Sequence, residues 1–330
     1  MSAPWRWSPS NGSLMRGPLA ALCALFVSCA AQAQGYPAKP VRFVVPFAPG
    51  GITDIIARVV GQKLGESWGQ SVLVENRAGA GSNIGVALVA KSAPDGYTVL
   101  LTTSSIAVNV TLTPDSGYDA EKDFIPVANV ASSPNMIVTA QSGPASLREL
   151  VAQAKAKPLA YGSAGTGTTP HLSAEYLFRV LAKLEVTHIP YKGAAPAVNA
   201  ALSGEVGAAS VAMPTAVPHI KGGRLRGLAV TSNRRIAALP EVPTVAESGF
   251  PGFEDYTWVG VFVPAGTPAA SVAKINTDIE RLLAQPEFRE RLAALGFEPV
   301  GGTPESFARY LKTEIAKWAK VVRETGAKVE

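Results

Sequence analysis

Thiols are nearly absent: 330 residues hold two cysteines, Cys23 and Cys29, both close to the amino end. No CxxC redox pair or thiolate metal site can be built from that spacing. Histidine is as scarce, and His171, His188 and His219 lie too far apart for a local metal motif, with no H-E-x-x-H among them. The apolar stretch from Leu19 to Ala31 has 13 residues, short of the roughly 20 that a membrane-crossing helix needs. No other run is long enough. The 30 basic residues outnumber the 25 acidic ones only slightly and are scattered rather than grouped, which argues against tracking a phosphate backbone. The motifs of common enzymes are missing too. Gly162-Ser163-Ala164-Gly165 lacks the first glycine of G-x-S-x-G, since position 161 is Tyr161. In Gly79-Ala80-Gly81 the next glycine, Gly85, comes one residue late for G-x-G-x-x-G, and no Gly-Lys-Ser/Thr closes a P-loop. The 31 glycines and 26 prolines carry no collagen-like period and fall between apolar runs as turn residues.

What is present is a core: 47% of the residues are hydrophobic and 17% charged, enough for one large or two ordinary domains. An arginine, Arg16, precedes the apolar stretch, which ends in Ala31-Gln32-Ala33, the small-x-small signature of a signal-peptidase site. Residues 1-33 therefore read as a signal peptide, with translation starting at Met1 or Met15, and both cysteines and Arg6 and Arg16 leave with it. Lipidation at Cys29 is the minor alternative, because Phe26-Val27-Ser28 lacks the usual leucine three places upstream.

Beyond it, short β-branched runs alternate with helical patterns. The runs are 41-45, 72-74, 97-101, 136-138, 186-189 and 228-230, an order that predicts βα units around mostly parallel sheets. Ile56, Val59, Val60 and Leu64 mark one helix face within 54-67; Leu172, Tyr176, Leu177, Val180 and Leu181 mark a second. In the last helix Thr303 caps, Pro304 follows, and Phe307, Tyr310, Leu311, Ile315, Trp318 and Val322 form a stripe read as core. Nearly 300 residues of such units favour two lobes. The extended stretches Asp123 to Ala140 and Trp258 to Pro264 suit two crossings, which gives 34-130 plus 258-330 as lobe 1 and 131-257 as lobe 2.

One arrangement recurs four times, a strand followed by a loop of small residues and a helix start. The loops are Pro46 to Asp54, Asn76 to Gly85, Tyr161 to His171 and Pro190 to Pro196, and Thr102-Thr103-Ser104-Ser105 is a fifth candidate. Small residues let a ligand approach the backbone, and free N–H groups at a helix start favour anions. For any single loop, ordinary turn and cap chemistry would suffice; two from each lobe can converge on a cleft at the carboxyl ends of the strands. His188 on a strand reads as packing, and His171 as structural or ligand-contacting.

The segments Pro46-Phe47-Ala48-Pro49-Gly50-Gly51 with Asp54, Ala57 and Arg58, Glu75 to Gly81, Pro94-Asp95-Gly96-Tyr97-Thr98, Tyr191-Lys192-Gly193 with Pro196, Leu239 to Glu247, Trp258-Val259-Gly260 and Pro264 to Pro268 resemble the Bug family. These are substrate-binding receptors of tripartite tricarboxylate transporters, and the resemblance runs in order over the chain that follows the signal peptide. It implies an α/β, two-lobed periplasmic binding protein of the Venus-flytrap, type II-like kind, with a small carboxylate or related solute held between the lobes. Carried over by position, Phe47, Gly50, Gly51 and Asp54 form one wall, extended by Thr103 and Ser104; Ser163, Thr166, Thr168, Tyr191 and Gly193 form the other. One departure stands out. After Gly204-Glu205-Val206 the family usually has an aspartate and then another acid, where this chain has Gly207 and, further on, Val211, a change that would alter the charge of a nearby cleft.

The expected protein is thus a periplasmic, monomeric, non-catalytic receptor with no cofactor and no nucleic-acid partner, serving membrane transporter subunits or a sensor kinase. An exported α/β enzyme acting on a carboxylate and a ligand-presenting sensor subunit are the alternatives. The loop tips are Gly, Ser and Thr, so backbone donors after Gly51 and Gly165 should carry the contacts, with Arg77 and Lys192 only at the edges. The leader makes the first prediction: exported protein sequenced from its amino end starts at Gln34, and a start at a lipidated Cys29 contradicts it.

Overall fold

The computed structural model describes residues 1–5 and 35–328. The signal peptide expected over 1-33 lies almost wholly outside the described residues. From Lys39 onward the chain makes one contact-rich unit built on two sheets.

The first sheet holds β1 (Val41–Val45), β2 (Val72–Asn76), β3 (Thr98–Thr103), β9 (Tyr256–Pro264), the first part of β4 (Phe124–Ala140) and β10 (Glu298–Pro299). The second holds the rest of β4 with β5 (Leu159–Ser163), β6 (Val186–Pro190), β7 (Ala208–Ala212) and β8 (Leu225–Val230). Strand order is β2-β1-β3-β9-β4 in one and β8-β4-β7-β5-β6 in the other, with β10 also against β4. β4 changes sheets between Pro134, opposite Tyr256, and Asn135, opposite Ala212.

The helices follow the strands: α1 (Ile52–Trp68), α2 (Asn83–Ala90), α3 (Ser105–Leu112), α4 (Leu147–Ala156) and α5 (Thr169–Glu175), which runs on as a π-helical stretch to Leu181. Then come α6 (Ala194–Ser203), α7 (Met213–Lys221), α8 (Ala269–Leu283), α9 (Pro286–Ala294) and α10 (Pro304–Thr325). The expected parallel βα units are there, β1 with β2 and β3, and β5 with β6 and β7. Each sheet is nonetheless mixed, because every antiparallel pair involves one of the long strands β4 or β9.

Separate cores pack on the two sheets. Phe262, Trp258, Phe307, Leu311 and Trp318 anchor α10 to the first, while Tyr161, Phe178 and Leu177 fill one face of the second and Val211, Val198 and Ala197 the other. Thr303 caps α10 by accepting the Ser306 N–H at 3.2 Å, as its position predicts. The stripe of that helix differs from expectation at two places. Tyr310 is exposed, and Glu314 is buried within the stripe, since its Oε2 accepts the indole N–H of Trp258 and of Trp318, each at 3.0 Å. A carboxylate is stable there because two donors and nearby Lys317 replace the lost water. Glu314→Ala should cost about 3–5 kcal/mol, from a cavity and two orphaned donors, and Glu314→Gln only about 1 kcal/mol, because its carbonyl still accepts. Denaturant unfolding of both variants checks the ratio, and equal losses would contradict it.

Candidate functional site

Strand β1 connects to β2 on one side and β2 returns to β3 on the other, so the order reverses between β1 and β3; the same reversal falls between β5 and β7. Such switch points leave a crevice at the carboxyl ends of the strands. Here both open on one cleft. An inner cavity of about 30 Å³ lies between Phe47, Gly51, Ile52 and Thr53 after β1, Thr103 at the end of β3, Ala164 and Thr168 after β5, and Ala212 at the end of β7. Pro170, Ala194 and Thr257 complete it. An outer cavity of about 340 Å³ shares Phe47 and Ala164 as walls and adds the Gly79–Asn83 segment, Gly165, Thr166, Tyr191 and Lys192.

The inner cavity is ringed by helix starts. Gly51 precedes α1, Thr168 precedes α5, Gly193 precedes α6 and Ala212 precedes α7. The first N–H groups have no intrahelical acceptor and carry the positive end of the helix dipole, with Pro170, Pro196 and Pro214 in the first turns of α5, α6 and α7 donating nothing. No Asp, Glu, Lys or Arg lines this inner space, and its polar side chains are the hydroxyls of Thr53, Thr103, Thr168 and Thr257. Lys192 lines the outer cavity only.

The expected residues divide by task. Phe47, Gly51, Thr103 and Thr168 line the inner cavity, and Phe47, Gly165, Thr166 and Tyr191 the outer one. Gly50, Asp54, Ser104, Ser163 and Gly193 line neither. Asp54 is 4% exposed and accepts from the Gly50 N–H, Asn76 Nδ2 and Arg58 Nε, each at 3.0 Å, and from Arg58 Nη2 at 2.9 Å. Burial pushes its pKa up, but the Arg58, Gly50 and Asn76 hydrogen bonds outweigh that, so the carboxyl sits below its ordinary value. It is a clamp that shapes the Pro46–Gly51 loop. Ser104 donates to Thr169 at 3.2 Å across the cleft. Ser163 is fully buried and bonds His188 Nε2 at 2.7 Å. His188 in turn stacks on His171, ring centroids 4.0 Å apart, and His171 Nδ1 accepts the Gly167 N–H. Burial depresses both imidazoles, His188 to about 4, so at neutral pH the pair is an uncharged strut under the 163-168 loop.

The Gly79–Asn83 segment, Ile52, Thr53 and Ala194 belong to the small-residue loops that the sequence shows, though not to the residues expected as walls, whereas Ala212 and Thr257 belong to none of those loops. Ala212 carried a readable signal, a strand end followed by Met213-Pro214; Thr257 carried none, since its place depends on the pairing of β9, which stays in the first sheet along its whole length and is not the second crossing that the sequence suggests. The family's acidic positions are a correction. Gly207 lies beside Leu159 and Ala160 at the amino end of β7, away from both cavities, and Val211 is packed in the core behind α6. The missing acids therefore leave the cavity lining unchanged in charge as observed.

The two sides of the cleft are in contact. The Ala48 N–H donates to the Lys192 carbonyl at 2.8 Å, and the Ser104 hydroxyl donates to Thr169 Oγ1 at 3.2 Å. Gly81, at φ +60°, faces the Thr166 carbonyl so closely that a Cβ would run into it. Gly81→Ala should therefore hold the cleft open: small-angle scattering should give a larger radius of gyration than the parent, and an unchanged radius contradicts the contact.

The chain matches the family profile described as tripartite tricarboxylate transporter family receptor over residues 56–327. It is 41% identical over 322 residues to the Bordetella pertussis protein BugT, covering 94% of this chain and 98% of that one. Among solved structures it is similar to R. palustris Rpa4515 with adipate, at 38% identity and a TM-score of 0.86 over 89% of this chain and 100% of that one. It is also similar to MatC from Rhodopseudomonas palustris with bound malate, at 33% identity and a TM-score of 0.82 over 87% of this chain and 100% of the other. With the profile running from within α1 past the end of α10 and the relatives matched over most of the chain, the chain belongs to the tripartite tricarboxylate transporter family of receptors, the Bug family of two-lobed periplasmic solute-binding proteins.

Proposed function

We propose that this protein is a periplasmic receptor that closes on a small organic carboxylate and delivers it to a tripartite tricarboxylate-type transporter. The observation that carries the reading is the inner cavity, where four helix starts and four threonine hydroxyls meet with no charged side chain. A carboxylate there satisfies N–H groups that otherwise lack an acceptor, and needs no counter-ion. Hydrogen bonds to a charged group contribute about 1.5–3 kcal/mol each, so three or four approach the roughly −8 kcal/mol of micromolar binding. The inner space holds little more than one carboxylate, and the remainder of the solute extends past Phe47 and Ala164 into the outer cavity. The adipate and malate named with the two similar structures are both dicarboxylates, in keeping with two compartments.

Lobe 1 is proposed as 34-130 plus 258-330 and lobe 2 as 131-257, with the mature protein a monomer. Among the described residues no helix is long and apolar enough to cross a membrane, and no group of three or more His, Cys, Asp and Glu is placed to hold a metal. A receptor is favoured over an exported hydrolase by the position of Ser163: its hydroxyl lies among His188 and the Gly165 backbone and lines neither cavity.

A panel of mono- and dicarboxylates with the matching amides tests the reading by thermal shift, since a ligand of the native state at 100 Kd stabilises it by roughly 2.7 kcal/mol. At least one carboxylate should raise Tm and remain chemically unchanged, while its amide has no effect. Lys192→Ala should weaken binding less than tenfold, and Gly165→Val should abolish it. Binding of amides and acids alike, or turnover of the acid, would contradict the proposal.

A further inference from the structure

Behind the inner cavity, where β4 passes from one sheet to the other and β9 begins beside it, lies a polar cluster that the binding account leaves unused. Asp255 immediately precedes β9 and is 5% exposed. Its Oδ2 accepts Asn135 Nδ2 at 2.6 Å and the hydroxyl of Ser173 on α5. Its backbone is tied as well. Thr231 Oγ1 donates to the Asp255 carbonyl at 2.6 Å and accepts the Asn135 N–H at 2.8 Å, and the Asp255 N–H donates to the Thr231 carbonyl at 3.0 Å. From Asn135 the chain of bonds runs forward. Thr257 donates to Asn135 Oδ1 at 2.8 Å, shares a hydrogen bond with Thr169 at the start of α5, and Thr169 accepts from Ser104 at 3.2 Å. Thr257 lines the inner cavity. One carboxylate thus grips β4 and α5, and those two grip the wall of the cavity.

We propose that Asp255 is a positioning residue of the cleft, which through Asn135 and Ser173 sets where Thr257 and Thr169 stand in the cavity wall. Its remaining oxygen, Oδ1, has no hydrogen-bond partner. The charged and titratable groups around it are Lys317, 3.9 Å away on α10, Glu314 and Tyr310 on the same helix, and Glu254 beside it in the chain. Burial raises the Asp255 pKa from 3.8 to about 6, against the pull of Lys317 and of the Ser173 and Asn135 hydrogen bonds. A raised carboxyl pKa makes the packed arrangement take up a proton that a hydrated, opened one releases. Between about pH 4 and 6 rising pH therefore favours local opening, and above that the effect is constant.

Amide hydrogen exchange of the solute-free protein, corrected for intrinsic rates, tests this. Because no solute is added, failure here is separable from failure of the carboxylate reading. In Asp255→Ala, protection of residues 168-173 and 256-258 should fall at least tenfold while β1 and β6 keep theirs; a uniform loss over both sheets overturns the positioning role. In Asp255→Asn, whose amide oxygen can take the place of Oδ2 and accept from both Asn135 and Ser173, protection should be largely rescued and should lose the tenfold or greater decline that the parent shows from pH 4 to 6. If the alanine variant does not fold, the asparagine profile decides: a flat profile supports the proposal, and a decline equal to the parent's overturns it.

Discussion

The architecture depends on one strand belonging to two sheets. Phe124–Ala140 is hydrogen-bonded to β9 over its first part and to β7 and β8 over its last, so the sheets cannot be placed independently. With their relation set by a continuous backbone, the reversals of strand order in each sheet face each other. The helix starts that follow β1, β5, β6 and β7 then meet around one small space. Placed separately these termini would be solvated ends of ordinary helices; facing one another, they offer N–H groups from several directions at once.

A site made this way is held in shape by residues that line neither cavity. Asp54 spends its carboxylate on Arg58, Asn76 and the Gly50 N–H, which fixes the loop before α1. The His171 and His188 stack, neutral because it is buried, supports the opposite loop through Gly167 and Ser163. Glu314 ties Trp258, next to the crossing, to Trp318 on the last helix. These charged groups lie behind the walls of the inner cavity, whose polar side chains are threonine hydroxyls set among Phe47, Ile52 and small apolar residues.

Much of this was legible in the sequence where the signal is local. The β-branched run 41-45 is β1 to the residue, and the Thr303-Pro304 start of α10 is where capping chemistry puts it. The small-residue loops after β1, β2, β5 and β6 all line the cavities. What was not legible depends on partners distant in the chain. β7 is Ala-Ala-Ser-Val-Ala, weak in strand propensity and extended because it is buried between β4 and β5. Glu314 breaks an apolar stripe, and only the two indoles explain it. Asp54 and Ser163 sit in the right loops, yet nothing local distinguishes a residue that shapes a loop from one that faces a ligand. The acids missing at Gly207 and Val211 suggested an altered cleft, and the strand direction places both elsewhere.

The central claim is that a carboxylate is held by backbone donors in the inner cavity. An amide-resolved NMR titration with whichever carboxylate raises Tm in the panel tests it most directly. The account predicts that the N–H resonances of Ile52, Thr53, Ala194 and Met213 move downfield together and saturate at one concentration. Saturating shifts confined to Arg77, Lys192 and Tyr191, with those four amides unmoved, would contradict it.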